Sequence, residues 1–209
     1  MGNPEAGANR LPLLLAIVFG LALLWVFLGW QPRPDRAAVD TLPGLAPPPQ
    51  GGDFVLDAHS GAVALADYRG RLVVLYFGYT WCPDICPTGL AVLALALDQL
   101  SARERDQVQV IFVSVDPQRD TPQRLETYAG YFHDSILGVT GTPRAVAEVA
   151  GRYGVAYRVV QQQSATEYTV DHSADLHLVD RDGKLRLTLP HGTSPARIAA
   201  ILREQIDQP

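Results

Sequence analysis

The apolar positions of residues 53–209 follow two kinds of pattern, which predict strands and helices. Continuous apolar runs at Leu72–Phe77 and Val108–Val115 are typical of strands that are buried on both faces of a sheet. Three later helices are each predicted to begin at a hydroxyl-proline pair, because Ser or Thr caps a helix and proline fits its first turn. These pairs are Thr121-Pro122, Thr142-Pro143 and Ser194-Pro195.

Shorter segments complete the predicted order of elements. A helix is predicted from Pro87 to Leu100 by its length and its alanine and leucine content. The helices that follow the three pairs are predicted to end near Tyr131, Arg152 and Ile206. Strands are also predicted at Phe54–Leu56, Ala62–Leu65, Val155–Val160, Leu176–Val179 and Leu185–Leu189. This alternation predicts an α/β fold, a sheet with helices on both faces.

The longest apolar run, Leu11–Trp30, has no charged residue. A helix of that length can cross the ~30 Å hydrocarbon core of a bilayer. A cleaved signal peptide is the alternative, but its apolar region is usually about 7–15 residues and small residues follow it. Gln31–Pro34 follows here instead. We therefore predict a short N-terminal flank at residues 1–10 and a transmembrane anchor at residues 11–30.

Residues 31–52 differ in composition from both neighbours. They contain six prolines and end in Gly51-Gly52, which favours an extended tether. The remaining residues, 53–209, have the size of one domain. The arginines on the two sides of the anchor do not orient it, but the short N-terminal flank favours a translocated domain in an oxidising compartment.

The charge and composition exclude several classes of function. The net charge is −5 and the pI is about 5.5, so we expect no nucleic-acid partner. Lys184 is the only lysine and there is no Gly-rich phosphate loop, which argues against Schiff-base and phosphate-binding chemistry.

The only two cysteines, Cys82 and Cys86, lie in the segment YTWCPDICP between a predicted strand and the start of its helix. The positive end of the helix dipole is expected to lower the pKa of both thiols. A structural disulfide would close a very short loop and remove little chain entropy. A redox pair and a metal site both remain open from this spacing alone.

A metal site requires at least one further ligand. Zn²⁺ prefers four donors, whereas Cu(I) accepts two thiolates and an imidazole. We select His172, which lies in a connection leading into the strand at Leu176, because in a thioredoxin-like sheet that connection packs next to the thiol loop. Asp171 is a candidate hydrogen-bond partner for its ring. The other histidines are interpreted as solvated or hydrogen-bonded: His59, His133, His177 and His191.

Four linked segments resemble the Sco family, also called SenC or PrrC, over Gly52 to about Ile206. A CxxxC pair alone is a weak signal, but its combination with three further segments in this order is specific. The segments are GYTWCPDICP, VSVDPQRDTP at Val113–Pro122, VDHS at Val170–Ser173 and PHGTSP at Pro190–Pro195.

The resemblance implies a thioredoxin-like fold and a copper ion bound by Cys82, Cys86 and His172. It also implies delivery of that copper to the Cu(A) centre of cytochrome c oxidase subunit II. The layout implies a single-pass protein of the inner (cytoplasmic) membrane, with its domain in the periplasm, or in the intermembrane space if it is mitochondrial. Asp116 and Asp120 match carboxylates of the family, with a structural or partner-facing role.

Two other functions use the same residues. In a thiol-disulfide oxidoreductase Cys82 would attack and Cys86 would resolve, reducing the cysteines of the recipient protein. A redox or copper sensor is the second alternative. The chain lacks the CxxC and the facing proline of thioredoxins, and Thr80 is misplaced for a peroxiredoxin, so copper carriage is favoured. We expect Cu(I), or Cu(II) with a further oxygen ligand, and additional partners among copper donors or thiol reductases.

Overall fold

The computed structural model describes residues 11–29, 49–160, 164 and 167–208. The chain forms two compact units, Met1–Pro47 and Pro48–Pro209. The first contains helix α1, Leu11–Gly29. No helix in the described part of the chain has both the length and the apolar character that crossing a membrane requires. The predicted anchor is therefore not confirmed, and the predicted flank and residues 31–48 of the predicted tether lie outside the described residues.

The second unit contains nine described strands and five described α-helices. The strands are β1 Val55–Ala58, β2 Gly61–Ala64, β3 Leu72–Gly78, β4 Val108–Ser114, β5 Ile136–Val139, β6 Tyr157–Val160, β7 Thr169–His172, β8 Leu176–Val179 and β9 Leu185–Leu189. The helices are α2 Ile85–Asp98, α3 Ala102–Arg105, α4 Pro122–Phe132, α5 Pro143–Arg152 and α6 Pro195–Asp207, and a 3₁₀ helix spans Leu65–Tyr68.

A five-stranded sheet in the order β5-β4-β3-β8-β9 forms the centre of this unit. Strand β3 is parallel to β4 and antiparallel to β8, and all of its residues are buried. One face packs against α2, α4 and α6, and the other against α5 and the β1-β2 hairpin. The predicted α/β sheet with helices on both faces is therefore confirmed, and β3 delivers the chain to the thiol loop from the middle of the sheet.

The three predicted helix caps form as expected. The side-chain oxygens of Thr121, Thr142 and Ser194 each accept a hydrogen bond from the backbone N–H three residues later, and a proline follows each cap. These caps fix the starts of α4, α5 and α6 at the predicted residues.

Two strands were missed by the sequence prediction, β5 and β7. Strand β7 forms a separate hairpin with β6, in which His172 lies opposite Tyr157. The sequence placed His172 in a connection, and the structure corrects this to the last residue of a strand. The four-residue segment TVDH is too short for a periodicity signal, and its strand depends on pairing with β6.

Candidate metal centre

The two cysteines lie between the end of β3 and the first turn of α2. Cys82 is in the intervening loop and Cys86 is the second residue of α2, so the helix begins two residues before its predicted start. Pro87 is tolerated there because the first backbone N–H groups of a helix have no partner within the helix. The Cys86 N–H donates to Cys82 Sγ over 3.4 Å, which brings both sulfurs to the helix start.

His172 completes the group from the end of β7. Its Nε2 lies 3.2 Å from Cys86 Sγ, and the ligand atoms of Cys82, Cys86 and His172 all lie within 4.8 Å of one another. Within the part of the chain that the structure describes, no other set of three potential metal ligands comes this close. The predicted convergence of these three residues is thus what the structure shows.

The imidazole is oriented by a backbone group. His172 Nδ1 lies 2.9 Å from the carbonyl oxygen of Ser173, which can only accept, so Nδ1 carries the proton. The lone pair of Nε2 then faces the sulfurs, as a ligand requires. The prediction that Asp171 is the hydrogen-bond partner of this ring is wrong, because its exposed carboxylate pairs with Arg158 at 3.3 Å instead. Alternation along β7 turns Asp171 away from the face that carries the imidazole.

The SCO1/SenC family model matches residues 44–207 of this chain. The chain belongs to the SCO1/SenC family. It is 37% identical over 186 residues to "Protein SCO2 homolog, mitochondrial" of Bos taurus, which covers 87% of this chain and 70% of the relative.

Solved structures of Sco proteins agree with the fold. The chain matches apo Sco1 of Thermus thermophilus with a TM-score of 0.68 and 42% identity, over 77% of this chain and 92% of that one. It matches ScoI of Bradyrhizobium japonicum, solved with copper bound, with a TM-score of 0.68 and 36% identity, over 74% and 98%. The predicted Sco resemblance and thioredoxin-like fold are both confirmed.

The two thiols of this Sco-family protein are not equivalent. The pKa of Cys82 is lowered, chiefly by a hydrogen bond from Cys86, with help from backbone N–H groups. The pKa of Cys86 is raised, because the adjacent Cys82 sulfur holds its proton and because it is the more deeply buried thiol. The prediction that the helix start lowers both pKa values is therefore wrong for Cys86, since two touching sulfurs disfavour a second negative charge.

This asymmetry predicts selective alkylation. A lowered pKa keeps Cys82 ionised at neutral and mildly acidic pH, where an ordinary thiol is protonated, so iodoacetamide should label Cys82 first. Its labelling rate should change little between about pH 6 and 8, whereas a free cysteine slows roughly tenfold per pH unit below its pKa of about 8.5. Peptide mass spectrometry after brief labelling of the reduced protein measures this. Equal labelling of both cysteines would contradict the assignment.

Gly78 is a site residue that the sequence analysis missed. A Cβ built on it would lie 2.7 Å from Cys86 Sγ and 2.8 Å from the Phe112 ring, both fully buried. No hydrophobic pattern signals this close approach, because it depends on how α2 crosses the end of β3.

Gly78→Ala should therefore lower the free energy of unfolding by about 1–3 kcal/mol, the usual cost of overpacking a core. Chemical denaturation of the reduced protein provides the measurement. Gly130→Ala is the matched control, because a Cβ there meets nothing within 4 Å and alanine favours its helix. Equal stability of the two variants would show that the sulfur has room to move.

Tyr79 is a second missed residue, and it contacts both sides of the site. Its ring lies edge-on to the His172 ring, with centroids 5.9 Å apart. Its hydroxyl accepts a hydrogen bond from the Val170 N–H over 3.2 Å. Tyr79 thus ties the thiol loop directly to β7.

The remaining histidines lie outside the site. His59 is exposed near Glu126, His133 Nδ1 accepts from the Ser135 N–H, and the His191 N–H donates to Asp175. His177 is hydrogen-bonded, one of its two predicted states, because Thr188 Oγ1 lies 3.4 Å from its Nδ1, and it is not solvated. It is buried beside the rings of Phe77 and Tyr153, and burial lowers its pKa. The alternation of side chains along β8 correctly predicts that His177 lies on the face opposite the two leucines. That face is also buried.

Proposed function

We propose that this Sco-family protein is a copper carrier that delivers copper to the Cu(A) centre of cytochrome c oxidase subunit II during oxidase assembly. The observation that carries the proposal is the convergence of the Cys82, Cys86 and His172 ligand atoms within 4.8 Å. Two thiolates and an imidazole suit Cu(I), which accepts fewer ligands than Zn²⁺. The copper-bound structure of the Bradyrhizobium relative supports the same cargo.

The three ligands differ in protonation before copper binds. Cys82 offers an anionic sulfur, whereas Cys86 must lose its proton when copper binds. The Ser173 carbonyl holds the imidazole with Nε2 free to bind. The negative charge of two thiolates lies at the positive end of the α2 dipole, which stabilises it.

The exposure of the site suits transfer. His172 is half-buried, while the Cys86 side chain is fully covered. A ligand from the recipient can approach on the His172 side and replace the imidazole before the thiolates release the ion. Cu(II) would take a further oxygen ligand on this same, more exposed side of the site.

A thiol-disulfide reductase is the second candidate, and the unequal thiols favour it. The Cys82 thiolate would attack a disulfide of the recipient, forming a mixed disulfide and releasing one recipient thiolate. The Cys86 thiol would then lose its proton and attack Cys82 Sγ. The chain ends as a Cys82–Cys86 disulfide and the recipient as a dithiol. A redox or copper sensor would use the same two states.

The same proposal places the domain in the periplasm, or the intermembrane space of a mitochondrion, attached by residues 11–30 to the inner membrane. Its support is the uncharged run in the sequence and the exposed leucine, valine, isoleucine, phenylalanine and tryptophan side chains of residues 14–25. The full chain should remain with membranes after a high-salt wash, and a chain that begins at Pro49 should not. Recovery of the full chain in the soluble fraction would contradict the attachment.

Copper transfer tests the function directly. The reduced chain should bind one Cu(I) in competition with a chelator. Two such Cu(I) ions should pass to the binuclear centre of copper-free subunit II, whose Cu(A) absorption should appear once added ferricyanide removes one electron from the filled centre. A carrier with a blocked site, alkylated at Cys82, is the control. Failure to bind Cu(I), combined with reduction of oxidised subunit II by the dithiol chain, would favour the reductase.

A further inference from the structure

The segment Ser114–Asp120 runs from the last residue of β4 into the loop that follows, and it contacts both the thiol loop and the residue before β7. We call this segment the bracket. It contains the two carboxylates whose role the sequence left open, Asp116 and Asp120, which are 3% and 1% exposed. Buried carboxylates are stable only with hydrogen-bond or charge partners, so their partners show what the loop holds together.

One arm of the bracket holds the thiol loop. Asp120 accepts hydrogen bonds from the Thr80 N–H at 2.9 Å and from the Thr80 hydroxyl at 2.5 Å. The Ser114 hydroxyl donates to the same carboxylate over 2.7 Å. Thr80 is two residues before Cys82, so this arm fixes the chain that leads to the first sulfur.

The other arm holds the hairpin that carries the histidine. Asp116 accepts from Arg119 Nε and from the Tyr168 hydroxyl, each at 2.6 Å. Arg119 Nη1 donates to the Tyr168 carbonyl over 2.9 Å, and its guanidinium lies 3.6 Å from the centre of the Tyr168 ring. Tyr168 immediately precedes β7, which ends at His172.

We infer that Arg119 is a positioning residue, which through Tyr168 and β7 sets the distance between the His172 imidazole and the two sulfurs. The inference rests on the proposed copper site. The reason is that β7 pairs only with β6 among the described strands and has no ladder to the central sheet. Side-chain contacts must therefore fix its place. Val170 packs in the core, and Arg119 and Tyr79 add polar contacts from the thiol side.

The Cu(I) affinity of the Arg119→Leu chain tests the inference. We expect a loss of roughly 10–100-fold, the usual effect of removing a group that orients a metal-binding histidine. Arg144→Leu is the matched control, because that exposed arginine pairs with Glu148 on α5, far from the bracket in sequence. Its affinity should equal that of the unmodified chain.

A double variant separates positioning from general damage. In the His172→Ala background, Arg119→Leu should cause no further loss of Cu(I) affinity, because its effect passes through the missing imidazole. Tyr168→Phe keeps the ring and the guanidinium but removes one hydrogen bond, so it should act in the same direction and more weakly, and it replaces Arg119→Leu if that chain fails to fold. Multiplied losses in the double variant, or unchanged affinity in the single variants, would overturn the inference.

Hydrogen exchange distinguishes failure of the inference from failure of the proposed function. In the copper-free chain, the amides of residues 169–172 should exchange faster in Arg119→Leu than in the unmodified chain and in Arg144→Leu. Equal exchange rates would overturn the inference that Arg119 positions β7, even if copper binds. Absence of Cu(I) binding by the unmodified chain would instead overturn the carrier function, whatever the exchange shows.

Discussion

His172→Ala should weaken Cu(I) binding by more than about 100-fold while the Cys82–Cys86 pair still cycles between dithiol and disulfide. The expected loss is large because removing a group that only hydrogen-bonds a metal-binding histidine already lowers metal affinity by roughly 10–100-fold. The imidazole lies 3.2 Å from one sulfur but takes no part in sulfur-sulfur exchange. Chelator competition measures the first effect, and reduction of a small disulfide measures the second.

The matched control is His59→Ala, because His59 is an exposed histidine in the turn between β1 and β2. Its Cu(I) affinity should not change. If His172→Ala and the unmodified chain bind Cu(I) equally, the imidazole is not a ligand and only the dithiol chemistry remains.

Cys82→Ser should abolish both activities. The chain has two cysteines, so no internal disulfide can form after the substitution. Copper affinity should fall further than in His172→Ala, because the lost group is the sulfur that is already anionic before copper binds. The same two assays measure both losses, and anaerobic thiol titration confirms that one thiol remains.

Cys86→Ser is the informative companion to that variant. The hydroxyl can still donate a hydrogen bond to Cys82, so Cys82 should stay reactive toward iodoacetamide although the disulfide is lost. Slow labelling of Cys82 in Cys86→Ser would show that its lowered pKa requires the second sulfur itself. Retained copper affinity in Cys82→Ser would place the metal elsewhere.

Much of this architecture could be predicted from local sequence. The buried runs at β3 and β4 have a continuous apolar pattern, and the caps at Thr121, Thr142 and Ser194 act within one turn of their own positions. The pairing of His172 with the cysteines was predicted from the order of elements and from the family resemblance.

The details that could not be predicted depend on contacts between distant segments. The unequal pKa values of Cys82 and Cys86 arise because the two sulfurs are hydrogen-bonded to each other and because Cys86 is the more deeply buried. The choice of the Ser173 carbonyl over Asp171 depends on which face of β7 the ring occupies. The roles of Asp116 and Asp120 became visible only when their partners, 52 and 40 residues away respectively, were known.

X-ray absorption of the Cu(I)-loaded chain is the most direct test of the central claim, that one imidazole and two sulfurs hold the ion together. The account predicts two sulfur donors and one nitrogen donor per copper, with the nitrogen signal absent in His172→Ala. A spectrum with sulfur donors alone, or a nitrogen signal that survives the substitution, would contradict it.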